Sequence, residues 1–138
     1  MGKAMARILV AEDDDNVRRF VVQALGIHGH DVSEAEDGGL AAEILMEEAG
    51  GFDLLLSDIK MPVMDGIALA LQAGAQFPEM IIVLMTGFAD QRERAHNLEA
   101  LVYDVLSKPF TLDLLLAKVD DALNGRPLEV ESLARMMA

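Results

Sequence analysis

Five residues with reactive or ligand-forming side chains each follow a short apolar run of the sequence. They are Glu12, Asp13, Asp58, Thr86 and Lys108. Three carboxylates with no histidine or cysteine beside them suit a hard cation, and Mg²⁺ fits best because it takes few protein ligands and keeps water molecules. Lysine and threonine add a positive charge and a hydroxyl, which suit a phosphoryl group. Asp58 is therefore a candidate nucleophile that would form an aspartyl phosphate.

The apolar runs predict five strands that alternate with five helices. The strands are predicted at residues 7–11, 31–36, 52–58, 80–85 and 101–106. The third strand contains three consecutive leucines, which is typical of a strand buried on both faces of a parallel sheet. The alternation indicates an α/β fold, a parallel sheet with helices on both faces. Since ligands bind at the carboxyl ends of such strands, the five polar residues are expected to converge there.

Length and composition favour one globular domain. The chain has 138 residues, of which 52% are hydrophobic and 25% charged. The net charge of −13 argues against direct binding to nucleic acid or anionic lipid, and favours a cation or basic partners. No apolar run reaches the ~20 residues that span a membrane, and no signal region follows the first residues. The absence of cysteine fits a reducing compartment, so a cytoplasmic protein is expected.

Four short motifs resemble those of the receiver domain of two-component response regulators. They are the acidic pair at 12–13, the Ser-Asp-Ile-Lys-Met-Pro-Val-Met-Asp-Gly loop at 57–66, Met-Thr-Gly at 85–87 and Ser-Lys-Pro-Phe at 107–110. The resemblance spans about residues 7–123. It implies a doubly wound, flavodoxin-like sheet with strand order 2-1-3-4-5. It also implies a receiver domain at 1–125 that is a regulatory phosphoacceptor and not an enzyme, followed by a tail at 126–138 that could form a short helix.

The resemblance implies a role for each residue of the acidic site. Asp58 would accept a phosphoryl group from a histidine kinase or a phosphotransfer protein. The side chains of Asp13 and Asp58 and the backbone carbonyl of Lys60 would bind Mg²⁺, and Glu12 would reach the ion through water. Lys108 would bond a phosphoryl oxygen, and the peptide bond that follows it is expected to be cis.

The resemblance also implies a switch, in which Thr86 turns inward to the phosphoryl group and changes the surface of helix 4, strand 5 and helix 5. Receivers usually carry a tyrosine or phenylalanine three residues before the lysine, where this chain has Val105. Tyr103 lies two residues earlier and is expected on the same face by strand alternation. Either Tyr103 takes over part of the switch, or the output is read differently.

A narrower resemblance suggests what the domain contacts. Thr86-Gly87-Phe88, the run at 105–110 and the missing switch aromatic are similar to stand-alone receivers of the CpdR type, which steer a bacterial protease through adaptor proteins. A downstream protein partner such as a protease adaptor is therefore expected, with the chain a monomer or weak dimer. Phe88 stands beside the site and could shield the phosphoryl group from water.

Two other functions stay open at this point. A phosphohydrolase could use Asp58 as its nucleophile, but enzymes of the haloacid dehalogenase type need a second aspartate two residues later, where this chain has Lys60. An interaction module that works without phosphorylation could share the fold. Such a module would tolerate the loss of acids from the site, and none is lost here.

Overall fold

The computed structural model describes residues 6–96, 98 and 100–137, and within them five strands alternate with five helices. The strands are β1 (Arg7–Ala11), β2 (Asp31–Ala35), β3 (Leu54–Asp58), β4 (Ile81–Thr86) and β5 (Asp104–Ser107). The helices are α1 (Asp15–Ile27), α2 (Gly38–Glu47), α3 (Gly66–Gln76), α4 (Ala89–His96) and α5 (Leu112–Met137). All neighbouring strands are parallel, in the order β2-β1-β3-β4-β5. The predicted fold class and strand order are confirmed.

Strand alternation divides the core into two layers. Leu9, Leu55 and Ile82 point to the layer that α2, α3 and α4 cover. Ile8 and Leu56 point to the layer that α1 and α5 cover. Because β3 is buried on both faces, all three of its leucines are inaccessible to solvent, as the sequence predicted. Each such leucine contributes about 1.5–3 kcal/mol of burial energy, which holds the middle of the sheet in place.

Oxygen-bearing side chains begin the helices that follow the strands. Asp14 accepts hydrogen bonds from two backbone amides at the start of α1. Asp37 and Asp65 each accept one at the start of α2 and α3, and Thr111 accepts one at the start of α5. Such caps satisfy amides that have no partner within the helix. Some of the acidic residues near the sheet edge therefore serve to cap helices.

Helix α5 continues into the predicted tail at 126–138. A glycine commonly ends a helix, but here the backbone stays helical through Gly125 to Met137. Gly125 and Pro127 disfavour a helix interior by about 1 and 3 kcal/mol relative to alanine. Residues 128–137, however, are mostly Leu, Glu, Ala, Arg and Met, which are strong helix formers. The division into a domain at 1–125 and a tail at 126–138 stays a prediction.

Gly66 closes the loop that follows Asp58. Its backbone N–H donates a hydrogen bond of 2.7 Å to the carbonyl of Ile59. A Cβ atom at Gly66 would lie 2.1 Å from the backbone oxygen of Asp58. Since no real Cβ atom can come so close to a backbone oxygen, this glycine is required for α3 to begin directly behind the end of β3.

Replacing Gly66 by alanine should therefore destabilise the domain. We expect Gly66→Ala to lower the free energy of unfolding by about 1–3 kcal/mol, the usual penalty of overpacking, in urea unfolding experiments. Gly26→Ala is the matched control, because nothing lies within 4 Å of a Cβ atom at that position in α1. Alanine there should leave the stability unchanged or raise it by up to about 1 kcal/mol. Equal unfolding midpoints for the two variants would contradict this account of the loop.

Candidate functional site

The ends of β1 and β3 bring three carboxylates together. Ala11 is paired with Ser57 in the sheet, so the residues that follow them leave the sheet side by side. Oxygen atoms of Glu12, Asp13 and Asp58 all lie within 4.8 Å of one another. Glu12 and Asp58 are buried and Asp13 is exposed. This all-oxygen group of ligands, open on one side to solvent, fits Mg²⁺ and the water molecules that it retains.

Lys108 reaches this acidic group from the end of β5. Its backbone N–H donates to the carbonyl of Thr86, which places it beside the end of β4. Its Nζ atom lies 2.8 Å from Oε1 of Glu12 and 3.3 Å from Oδ2 of Asp58. The peptide bond between Lys108 and Pro109 is cis, as expected. The structure therefore brings together four of the residues that the sequence singled out.

The protonation properties of the site follow from this crowding. Burial raises the pKa of Glu12 to about 7, although hydrogen bonds from Lys108 and from the Asp14 amide oppose the shift. Burial also raises the pKa of Asp58 against the opposing effect of the Lys108 ammonium. Burial lowers the pKa of Lys108, but its contacts with Glu12 and Asp58 outweigh this and raise it overall. The raised pKa values show that the charged forms of Glu12 and Asp58 are disfavoured here, so a cation bound beside them would stabilise those forms.

Thr86 is buried at the end of β4, but its hydroxyl is bonded towards α4. The Oγ1 atom accepts a hydrogen bond from the Phe88 amide at 3.1 Å and donates to Oε1 of Gln91, also at 3.1 Å. Sequence analysis did not identify Gln91. The feature of the sequence that could have identified it is its position, five residues after Thr86 in the first turn of α4. The hydroxyl thus links the end of the sheet to α4.

Tyr103 and Val105 do not share a face, so that expectation is wrong. Tyr103 packs in the layer of α1 and α5, and its hydroxyl lies 2.9 Å from Oδ2 of Asp121. Val105 packs in the opposite layer, which α2, α3 and α4 cover. Strand alternation applies only within a strand, and Tyr103 precedes the first residue of β5. Its contact with α5 gives no support for Tyr103 as a replacement switch residue.

Lys60 and Phe88 connect the loops that follow β3 and β4. The Lys60 ammonium lies 5.2 Å from the centre of the Phe88 ring. The Phe88 side chain is 52% exposed. This cation–π contact lies beside the site, because Lys60 is two residues beyond Asp58 and Phe88 is two beyond Thr86.

Among the helices in the described part of the chain, none combines the length and the apolar character that crossing a lipid bilayer requires.

The crowding of carboxylates predicts a stability effect. We expect Asp58→Asn to raise the free energy of unfolding by about 1 kcal/mol at pH 8 in EDTA, because it removes a buried charge that Lys108 offsets only in part. Glu43→Gln, an exposed change on α2 with the same effect on net charge, should alter stability by less than about 0.5 kcal/mol. If urea unfolding shows that Asp58→Asn is less stable than the parent, the carboxylates are better balanced than this geometry implies.

Comparison with known sequences places this site in a family. The response regulator receiver domain matches residues 8–120. The response regulator receiver protein CpdR of Brucella abortus is 44% identical over 119 residues, which cover 86% of this chain and 98% of that protein. The sensor kinase CckA of the same organism is 37% identical over 119 residues, which cover 86% of this chain but 12% of the kinase.

Solved structures show the same architecture. A response regulator receiver domain from Clostridium thermocellum superposes with a TM-score of 0.79 at 26% identity, covering 90% of this chain and 98% of that one. The chemotaxis response regulator CheY4 of Vibrio cholerae gives 0.78 at 26% identity, covering 87% and 100%. The fold, the acidic site and these relatives lead to one conclusion: this chain belongs to the receiver domain family of two-component response regulators.

Proposed function

We propose that this chain is a phosphorylation-dependent switch in which Asp58 accepts a phosphoryl group from a histidine kinase or a phosphotransfer protein. A carboxylate oxygen of Asp58 attacks the phosphorus of a phosphohistidine. A P–O bond forms as the P–N bond breaks, and the electron pair of that bond returns to the imidazole of the donor. The position of Asp58 carries the proposal: it lies between two further carboxylates and the Lys108 ammonium, the environment that this transfer needs.

The same residues would hold Mg²⁺. The side chains of Asp13 and Asp58 and the backbone carbonyl of Lys60 are the proposed ligands, and Glu12 contacts the ion through water. When bound, the ion offsets the negative charge of the carboxylates and of the incoming phosphoryl group. Lys108 stabilises a phosphoryl oxygen from the side on which it now contacts Asp58. Glu12 then serves as the second partner that keeps the ammonium in place.

Thr86 connects the phosphoryl group to the partner surface. To bond a phosphoryl oxygen, its hydroxyl must leave Oε1 of Gln91, which removes a link between β4 and α4. Helix α4 is polar, and its other described anchors include the buried Ala95 and an ion pair of 3.5 Å between Arg94 and Asp65. A helix held by few apolar contacts moves at low free-energy cost. The surface of α4, β5 and α5 is therefore the proposed site of partner binding.

The proposed partners are proteins. Similarity to CpdR over almost the whole of that receiver supports a single-domain regulator, and we propose that its output is a protein contact such as one with a protease adaptor. The net charge of −13 disfavours direct nucleic-acid binding. The lack of cysteine fits the cytoplasm, and the proposed oligomeric state is a monomer or weak dimer. The phosphohydrolase alternative is disfavoured because Lys60 stands where its acid–base aspartate would be.

Labelling with a small phosphodonor tests the proposal. We expect acetyl phosphate and Mg²⁺ to add one phosphoryl group to the parent protein, detected by intact mass, and EDTA to prevent it. Asp58→Asn should abolish labelling, because the amide is not a nucleophile for this transfer. Asp53→Asn, an exposed change just before the opposite end of β3, should label like the parent. Full labelling of Asp58→Asn, or none of the parent, would contradict the proposal.

The contact between Lys60 and Phe88 predicts a change in phosphoryl lifetime. We expect Phe88→Ala to shorten the lifetime by about two- to fivefold, because the ring shields the site from water. A factor of this size corresponds to the free energy of the one cation–π contact that holds the ring in place. The decay of labelled protein after removal of the donor measures it. Leu71→Ala is the control, since Leu71 is 50% exposed on α3 and has no part in the site. An unchanged lifetime in Phe88→Ala removes the shielding hypothesis.

A further inference from the structure

Arg18 of α1 makes three hydrogen bonds that connect different parts of the acidic edge. Its Nη1 atom donates to the backbone carbonyl of Glu12 at 2.8 Å. Its Nη2 atom donates to Asp15 at 2.6 Å and its Nε atom to Glu34, at the end of β2, at 2.9 Å. The side chain is only 14% exposed. The sequence analysis gave no role to this residue.

The bond to the Glu12 carbonyl affects Asp13. The carbonyl of Glu12 and the amide of Asp13 belong to the same planar peptide unit, so holding the oxygen restricts the direction in which the Asp13 side chain leaves the backbone. Within the described residues, no group donates a hydrogen bond to the Asp13 carboxylate, and that side chain is exposed. The position of Asp13 therefore depends on its backbone.

The other two carboxylates are held directly. Lys108 and the Asp14 amide contact Glu12, and Lys108 and the Ile59 amide contact Asp58. Asp13 differs from both because its restraint comes through the peptide unit that Arg18 binds.

We propose that Arg18 is a positioning residue for the magnesium site: by fixing the peptide between Glu12 and Asp13, it holds the Asp13 carboxylate where it can share an ion with Asp58. The inference rests on the proposed function, which requires that ion. Arginine suits the role because its planar fork can satisfy three acceptors at once, whereas a lysine ammonium has no such fixed geometry. Asp15 and Glu34 fix the plane of the guanidinium, so the bond to Glu12 is held in one direction.

A positioning role for Arg18 and a purely electrostatic effect of its charge predict opposite changes in the affinity for Mg²⁺. Removing a positive charge near an acidic site should strengthen cation binding by Coulomb's law. Removing a residue that positions a ligand should weaken it. Arg19 is the matched control, because it carries the same charge one position further along α1 and is exposed.

Calorimetric titration of the full chain with Mg²⁺ tests the inference. We expect Arg18→Gln to weaken Mg²⁺ binding about tenfold, as is typical when a residue supporting a metal ligand is lost. Arg18→Lys should weaken it less, because the ammonium can still donate a hydrogen bond to the Glu12 carbonyl. Arg19→Gln should leave binding unchanged or slightly tighter. The inference is overturned if Arg18→Gln binds Mg²⁺ as tightly as Arg19→Gln does.

Two further variants separate this inference from folding and from the proposed function. Urea unfolding in EDTA shows whether each variant is folded. If Arg18→Gln is not, Glu34→Ala decides, because it removes the acceptor of Arg18 Nε from outside the site. It should weaken Mg²⁺ binding more than Glu36→Ala does, which removes the same charge from an exposed position. Equal binding in these two variants overturns the inference. Asp13→Asn tests the site itself: if it binds Mg²⁺ like the parent, the proposed site fails, whereas weaker binding with no effect of Arg18 rejects only the positioning role.

Discussion

The mutual repulsion of three carboxylates at the ends of β1 and β3 is the interaction on which the site depends. The sheet register places Glu12, Asp13 and Asp58 within 4.8 Å of one another. Burial of the apolar side chains in both layers supplies the free energy that keeps these strands adjacent despite the repulsion. Lys108 offsets part of the charge, and the remainder favours a cation. The repulsion among the carboxylates thus lowers the stability of the folded domain, as is common at functional sites.

The four consecutive acids of residues 12–15 illustrate how one charge run divides into separate tasks. Glu12 is buried against Lys108, and Asp14 caps α1. Asp15 pairs with Arg18, which leaves Asp13 exposed to solvent in the acidic cluster with Glu12 and Asp58. Because three of the four acids have different partners and only Asp13 lacks one among the described residues, the run does not behave as a uniform negative patch. Repulsion within it is reduced by one cap, one half-buried lysine and one arginine.

In the proposed switch, the link from chemistry to output passes through α4, where Ala95 is the buried apolar residue among the described side chains. The Thr86 hydroxyl bonds to Gln91 in α4, a polar helix, whereas the neighbouring strands β3 and β4 are fully buried. In the proposed switch, a rigid sheet edge beside a polar helix would let a small rotation of one hydroxyl alter a surface. Elements of low local stability are the ones that can respond in this way.

The sequence by itself determined the number of strands, the polar residue at each strand end and the sheet class, because apolar runs and their spacing are local properties. The three clustered acidic residues, Thr86 and Lys108 were identified in this way, and the family resemblance supplied the strand order. The sequence placed the start of the fifth strand at residue 101, whereas β5 begins at Asp104. Tertiary structure decided the contacts of Arg18, the direction of Tyr103 and the bond between Thr86 and Gln91. Each depends on which elements pack side by side, and no periodicity along the chain encodes that. The continuation of α5 past Gly125 belongs with them, since a glycine alone does not decide whether a helix ends.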